Sequence, residues 1–169
     1  MQPQDPFLAD WQAAFELTRA LAGGFQPQPV PVPFQLDPGE VAFAVLGAQV
    51  LRRVGLELAF NDLSQSHAAA GRWEPADRGT LALTPRRVVI GTPRQLVSFG
   101  WQGMHRTWAE PDGTVLDYGT NPDGSSRRMK LCTQRPVWLD VMLNFIAFKR
   151  LVPRAVPPHL HRVLGVMKF

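Results

Sequence analysis

The chain has 169 residues, of which 45% are apolar, and a net charge of +4 at pH 7. This length suits one domain that buries a sizeable core, and the apolar share excludes the disordered class of proteins. Because Cys132 is the single cysteine, an internal disulfide is excluded as well. The sequence has no basic leader and no run of about 18 apolar residues, so we expect a cytoplasmic protein without a transmembrane segment.

Charge is divided unevenly along the chain. Residues 1–77 carry nine acidic and four basic side chains, a net charge of −5, whereas residues 78–169 carry five acidic and fourteen basic ones, a net charge of +9. The second half can therefore attract phosphates, anionic lipid or an acidic protein. The alternative is that the two halves neutralise each other in the folded domain.

The first 35 residues predict a helix followed by a stiff spacer. An Asp-Pro pair favours a helix start, apolar residues recur at helical spacing, and two glycines favour the end, so we predict a helix over 6–22. Alternate prolines over 26–33 then favour the extended polyproline conformation. A peptide ligand for an aromatic groove is the alternative interpretation of this spacer.

Residues 41–53 fit two structures. The Asp-Pro-Gly-Glu sequence before them looks like a helix start, but their apolar side chains alternate as in a strand, which we favour. Residues 54–60 alternate more clearly and predict a second strand. Residues 61–78 are mostly polar and small, so we predict a loop there.

Short strands separated by turns dominate the next part of the chain. We predict strands over 80–83, 88–90, 96–101, 104–108, 115–119 and 127–132. Asp112-Gly113 and Asp123-Gly124 favour the positive φ angles that tight hairpins need. Short strands with turns at this spacing predict an antiparallel barrel or sandwich.

A helix follows the last strand. Pro136 stands at its start, and the residues up to 149 are apolar on more than one face. The barrel can cover one side, while the N-terminal helix, the C-terminal tail or a second subunit must cover the rest. A homo-oligomer formed through this apolar helix is therefore one expectation. Residues 151–169 are expected to form a tail with room for one short helix.

The order of these elements resembles a known family. Residues 79–90 read GTLALTPRRVVI, which is similar to a hairpin of GRAM and bacterial pleckstrin-homology-like (PH-like) domains, and Pro38-Gly39-Glu40 is similar to the lead-in of their first strand. The resemblance covers residues 36–150. It implies an α+β, mainly β fold, an antiparallel PH-like barrel or sandwich capped by a C-terminal helix, here with an extra N-terminal helix. It also implies a scaffold that binds lipids, peptides or proteins, and it implies no reaction.

Two groups of basic residues are candidates for the binding site. In PH-like domains the loop between the first two barrel strands often binds phosphate, and the segment from Arg78 to Ala109 holds five arginines and no carboxylate. A ligand site is therefore predicted at Arg86, Arg87, Arg94 and Arg106. The alternative, which we favour, is that the hairpin arginine makes a structural ion pair and that the other arginines form a solvated face.

The second group lies on the last predicted strand. Arg128 and Lys130 share one face of it, and with Trp101 or Trp108 nearby they could form a cationic surface with stacking aromatics. These are the features of a surface for single-stranded nucleic acid. An exposed strand face with tryptophans in the core is the alternative that we favour.

Motifs for chemistry are missing from the sequence. There is no glycine-rich phosphate loop, paired-carboxylate constellation or nucleophile elbow, and Cys132 reads as an inert thiol in an apolar strand. We therefore expect no enzyme, no cofactor and no metal site. The predicted function is a non-catalytic module that binds a protein partner or an anionic lipid headgroup or phosphate. The alternatives are a nucleic-acid-binding accessory protein and a carrier of a small hydrophobic ligand.

Overall fold

A computed structural model describes residues 6–55 and 71–151 of the chain. They form a mainly β domain, in which seven antiparallel strands make one curled sheet with a helix at each end of the described chain. The elements are α1 (Pro6–Ala22), β1 (Ala44–Val54), β2 (Arg72–Leu83), β3 (Arg87–Gly91), β4 (Leu96–Gly100), β5 (Arg106–Glu110), β6 (Gly113–Thr120), β7 (Ser126–Cys132) and α2 (Pro136–Phe148). The strand order is β4-β3-β2-β1-β7-β6-β5.

The sheet curls into a half-barrel, and one hydrogen bond demonstrates the curl. The Tyr118 hydroxyl on β6 donates to the Gly100 carbonyl oxygen at the end of β4, at 2.9 Å. In a flat sheet with strands about 4.8 Å apart, β4 and β6 would lie about 24 Å from each other. The sheet must therefore bend far enough to bring strands from its two ends into contact.

One apolar core fills the inside of this curl. It draws side chains from β1, β2, β3, β6, β7 and α2, and the fully buried members include Leu81, Ile90, Leu116, Leu131 and Leu143. The inner side chains alternate with outer ones along each strand, which is the pattern of a sheet with one face on the core. The alternation of 41–53 thus predicted correctly that this segment is a strand.

Helix α2 is covered on two sides. Leu139 and Met142 face the half-barrel core, whereas Val137 and Val141 pack in a second cluster with Ala14 and other residues of α1. None of the large apolar side chains of α2 is among the exposed ones of the described chain. The N-terminal helix is therefore the cover that the apolar sequence of α2 required.

The start of α2 is capped from α1. Its own N-cap residue, Arg135, makes no side-chain cap. Instead the buried carboxylate of Asp10 accepts the amides of Val137 (2.7 Å) and Trp138 (3.1 Å). A carboxylate at this position satisfies two free amides and interacts favourably with the helix dipole.

The helix predictions over 6–22 and 136–149 are confirmed to within one residue.

The loop predicted over 61–78 is wrong where it overlaps β2, because residues 72–78 pair with the second half of β1. Their polar composition fits this place, since β3 pairs only with Thr80 to Leu83 and leaves the earlier part of β2 as an edge. Pro75 is tolerated there beside a bulge. The predicted strand 54–60 lies outside the described residues after Gly55.

Gly113 departs from the hairpin prediction. Its φ is not among the positive ones, whereas Gly124 has φ 80° as predicted. A Cβ on Gly113 would lie 2.8 Å from Cγ of Lys130, so the glycine is required for a close approach rather than for a turn.

The proline-rich spacer lies against the sheet. Val30 forms an antiparallel bridge with Ala42, and the Phe34 ring packs on the backbone of Gly91. The described part of residues 1–35, which the sequence predicts as a helix and a spacer, thus contacts residues of 36–150. The predicted tail lies outside the described residues after Leu151. Among the described residues, neither α1 nor α2 has the length and apolar composition that a membrane-spanning helix requires.

Candidate functional site

An open pocket of about 440 Å³ lies between the ends of β1 and β7 on one side and β4 on the other. Four arginines line it, Arg52 and Arg53 from β1 and Arg127 and Arg128 from β7. The remaining lining residues are Val54, Phe99, Gly100, Gln102, Tyr118, Ser126 and Met129. We call this site the arginine pocket.

The pairing of β1 with β7 brings the four arginines together. Arg52 lies opposite Met129 in the ladder, so the next position places Arg53 beside Arg128. Met129 packs against the core, and therefore its partner Arg52 lies on the inner face of the sheet. Arg53 and Arg128 lie on the outer face, where the guanidinium of Arg53 lies 5.4 Å from the centre of the Trp73 ring and that of Arg128 lies 5.7 Å from the centre of the Trp108 ring. Arg52 and Arg127 are therefore the two arginines of the pocket on the inner face.

The floor of the pocket is apolar and packs on the core. Phe99 and Met129 pack against the core, and Tyr118 is buried and holds the Gly100 carbonyl. Burial raises the pKa of Tyr118 to about 12, so its hydroxyl stays protonated at neutral pH. The pocket thus combines an apolar base with a cationic rim.

Carboxylates are missing from the lining residues of the arginine pocket. One of the lining arginines does contact a carboxylate: the Asp117 side chain, 6% exposed, lies on the outer face, 3.3 Å from Arg128 and 2.9 Å from Arg106. Burial alone would raise the pKa of Asp117, but hydrogen bonds from the Gly119 amide and from both arginines lower it below its usual range. Asp117 is therefore ionised at neutral pH and offsets part of the charge of Arg128.

Predicted site residues Arg106, Arg128 and Lys130 all lie on the outer face of the sheet, and Arg106 and Arg128 share the partners Asp117 and Trp108. The Trp108 ring lies between two guanidinium groups, with its centroid 5.0 Å from Arg106 and 5.7 Å from Arg128. This stacking belongs to the cationic surface that was one interpretation of the strand, beside the favoured alternative of an exposed strand face with tryptophans in the core. The arginines here are also paired with Asp117, however, so little free positive charge is left on this face.

Lys130 is enclosed. Its ammonium group lies 2.5 Å from Glu110, 3.1 Å from Asp112 and 5.0 Å from the centre of the Trp73 ring, and its side chain is 5% exposed. Burial would lower the pKa of Lys130, but hydrogen bonds to the two carboxylates raise it above its usual value. Lys130 is a charged structural group with no access to a ligand in this conformation.

The structure does not bring Arg86, Arg87 and Arg94 together. Arg86 is exposed in the turn between β2 and β3, whereas Arg94 is exposed in the turn at the opposite end of β3. Arg87 is held by Glu40 at 2.7 Å and by Asp37 at 2.6 Å, and Glu40 also accepts the Thr84 hydroxyl. Arg87 therefore makes the structural ion pair that was the alternative interpretation.

Arg52, Arg53 and Arg127 were missed from the sequence. Together with Arg128 they form two Arg-Arg pairs, 52–53 and 127–128, on segments that are far apart in the chain. Only the pairing of β1 with β7 joins them, and this long-range pairing leaves no local pattern in the sequence. The one signal that could have indicated these arginines is an Arg-Arg pair on each of two strands whose apolar and polar residues alternate.

Comparisons with known proteins yield no relative. No protein-family model matches the chain, and neither a curated protein nor a solved structure matches it. Within residues 6–55 and 71–151 no group of three or more His, Cys, Asp or Glu could hold a metal ion. Function therefore has to be inferred from the residues of the arginine pocket themselves.

Proposed function

We propose that the protein is a cytoplasmic, non-catalytic binding module of the PH-like type, which holds an anionic group, phosphate above all, in the arginine pocket. The observation that carries this proposal is that Arg52 and Arg127, both exposed, line one pocket whose lining holds no carboxylate. Arginine presents a planar fork of donors that matches phosphate and carboxylate oxygens. The resemblance of residues 79–90 to PH-like hairpins supports the same class of function.

Binding fits the pocket better than catalysis does. Its lining holds no histidine, cysteine or carboxylate that could act as a general base. Tyr118, with its pKa raised to about 12 by burial, supplies no proton acceptor at neutral pH. Cys132 lies outside the lining, and burial raises the pKa of its thiol, which disfavours the reactive thiolate.

A nucleic-acid surface is less well supported. It would use the outer face, where Arg106, Arg128 and Lys130 are paired with Asp117, Glu110 and Asp112. A ligand would have to displace these carboxylates from the cations that they contact. The arginine pocket requires no such displacement at Arg52 or Arg127, both of which are exposed.

The test is a calorimetric titration that measures the dissociation constant of inositol hexakisphosphate. It compares the wild type with the double variant Arg52→Glu/Arg127→Glu. We expect the variant to bind about tenfold or more weakly, because each basic residue near a phosphate is worth about 1 kcal/mol and charge reversal adds repulsion. Arg86→Glu/Arg94→Glu is the matched control, since it makes the same change in net charge at exposed turns outside the pocket. The control should bind as the wild type does.

Two sources of phosphate can be separated in the same experiment. Vesicles that contain a phosphorylated lipid would bind alongside the soluble hexakisphosphate if the natural ligand is a headgroup at a membrane. Inorganic phosphate or the hexakisphosphate alone would bind if it is a soluble anion. Failure of all these probes, or equal weakening in the control variant, would overturn the proposal.

A further inference from the structure

Strand β4 is an edge strand, and the bonds at its two ends reveal which of its amides are unused. Before the strand, the Thr92 amide donates to the Gln95 carbonyl at 3.0 Å. After the strand, the Trp101 amide donates to the Arg86 carbonyl at 3.2 Å. Both pairs belong to the one register that joins β3 to β4.

Hydrogen-bonded pairs alternate along an antiparallel ladder. Counting from the two end pairs, Val97 exchanges backbone hydrogen bonds with Ile90, and Phe99 does so with Val88. The side chains of Val97 and Phe99 pack against the core. The backbone amides of Leu96, Ser98 and Gly100 therefore face the other edge. Within the described ranges no strand pairs with that edge.

The edge lacks the features that usually prevent pairing. Residues 96–100 contain no charge and no proline, and Leu96 is 51% exposed. At the opposite edge of the sheet, β5 carries Arg106 and Glu110 and is in contact with α2. Charged side chains and a covering helix are common ways to block an edge strand. The unpaired first part of β2 carries Arg72, Glu74 and Asp77, and Pro75 beside a bulge, so it is blocked as well. Of these three edges, β4 is the one without a feature that blocks pairing.

The same edge leads into the arginine pocket, because Phe99 and Gly100 at its end line the pocket. We propose that β4 pairs with an extended peptide of a partner protein, and that a phosphorylated side chain of this peptide enters the arginine pocket. The inference rests on the proposed function, since it names the carrier of the anionic group. Backbone pairing would supply affinity and the arginines would select the phosphorylated form.

Charge decides between this occupant and a second copy of the chain. A second copy that paired through β4 would add the uncharged strand Leu96–Gly100, which brings no anionic group to the arginine pocket. A phosphorylated peptide complements the pocket instead. The exposed position of Leu96 offers one apolar contact on the outer face of the added strand.

The test uses a nine-residue peptide library with a fixed phosphoserine and randomised flanks, beside the same library with serine. We expect enrichment of phosphoserine peptides with apolar or β-branched residues at alternate positions on one side. Ser98→Pro removes an amide that β3 does not use, and it should weaken binding of the enriched peptides by about tenfold or more. Ser98→Thr keeps the amide and should bind as the wild type does.

The hexakisphosphate titration separates the two proposals. If the hexakisphosphate binds but no phosphoserine peptide is enriched, the peptide inference is overturned and the proposed function stands. If neither probe binds, both fall. Equal peptide binding by Ser98→Pro and the wild type would also overturn pairing at β4, provided that circular dichroism shows both to be folded.

Amide exchange on the wild type gives a second measurement that needs no variant. An enriched peptide should slow exchange at Leu96 and Ser98, whose amides face the free edge. Val97 and Phe99 are already bonded to β3, so their protection should change little. Protection that is equal at all four positions, or absent from Ser98, would contradict strand addition.

Discussion

Glu40 holds together the turn between β2 and β3. Its side chain is 1% exposed, and its two oxygens accept bonds from Arg87 and from the Thr84 hydroxyl. The bonds from Arg87 are the main cause that lowers the pKa of Glu40 below its ordinary value of 4.5, against the opposing effect of burial. A buried, doubly bonded carboxylate of this kind is worth more than an exposed ion pair.

Because the pKa of Glu40 is lowered by folding, its contribution to stability is complete above the ordinary value of 4.5 and is lost as pH falls through the folded-state value. We expect Glu40→Gln to lower the free energy of unfolding at pH 7 by about 1–3 kcal/mol. The difference from the wild type should shrink in acid. Urea denaturation between neutral and acidic pH measures both effects.

Glu74→Gln is the matched control for this change. Glu74 pairs with Arg72, but the two side chains are 43% and 79% exposed. An ion pair so accessible to water contributes about 0–1 kcal/mol, so the control should lose little stability. A Glu40→Gln variant whose deficit is the same at every pH would contradict the lowered pKa.

At the scale of elements, strand β3 requires a glycine at position 91, because the Phe34 ring occupies the space of a side chain there. A Cβ at this position would lie 2.3 Å from Cδ1 of Phe34, which the spacer places on the sheet. We expect Gly91→Ala to destabilise the protein by about 1–3 kcal/mol and Phe34→Ala to remove most of that penalty, with a coupling of about 1 kcal/mol or more. Urea unfolding of the two single variants and the double variant measures the coupling.

Gly47→Ala is a suitable control for that cycle. Gly47 also lies within a strand, its φ is not positive, and a Cβ there would meet no atom within 4 Å. The substitution should be neutral or slightly stabilising, because alanine loses less conformational entropy on folding than glycine does. Additive effects of the Phe34 and Gly91 changes would show that the spacer does not pack on β3 in solution.

Local sequence patterns predicted the elements that carry their own sequence signals. Helix α1, helix α2 and the hairpin strands after residue 79 follow from amphipathic spacing, proline and glycine. The start of β2 could not be predicted, because residues 72–78 are polar and become a strand only through pairing with β1. The arginine pocket could not be predicted either, since it depends on pairing between β1 and β7, which no short window of sequence contains.

At the scale of the whole molecule, Asp10 joins the two helices. It is 2% exposed, and the amides that it caps belong to residues 127 and 128 positions away in the chain. We expect Asp10→Ala to lower the free energy of unfolding by about 1–3 kcal/mol, because two amides at the start of α2 lose their acceptor. Asp10→Asn keeps one acceptor oxygen and should cost less.

Amide exchange locates this effect. Loss of the cap should speed exchange at Val137 and Trp138 before it affects the strands, because helix ends open locally. Gln12→Ala, an exposed change on the same helix, is the control and should leave the exchange of both amides unchanged. Wild-type protection of Val137 in Asp10→Ala would show that α1 does not cap α2 in solution.

This cap has a consequence for synthesis on the ribosome. The ribosome adds Asp10 127 residues before Val137. At a synthesis rate of roughly 5–20 residues per second, α1 exists for about 6–25 seconds before the start of α2. During that wait the Val137 and Val141 surface that covers α1 does not yet exist, so the apolar side of the first helix stays open to water and to other chains. Helix α1 acquires its partner only after α2 has been synthesised, so we expect the nascent helix to bind holding chaperones until then.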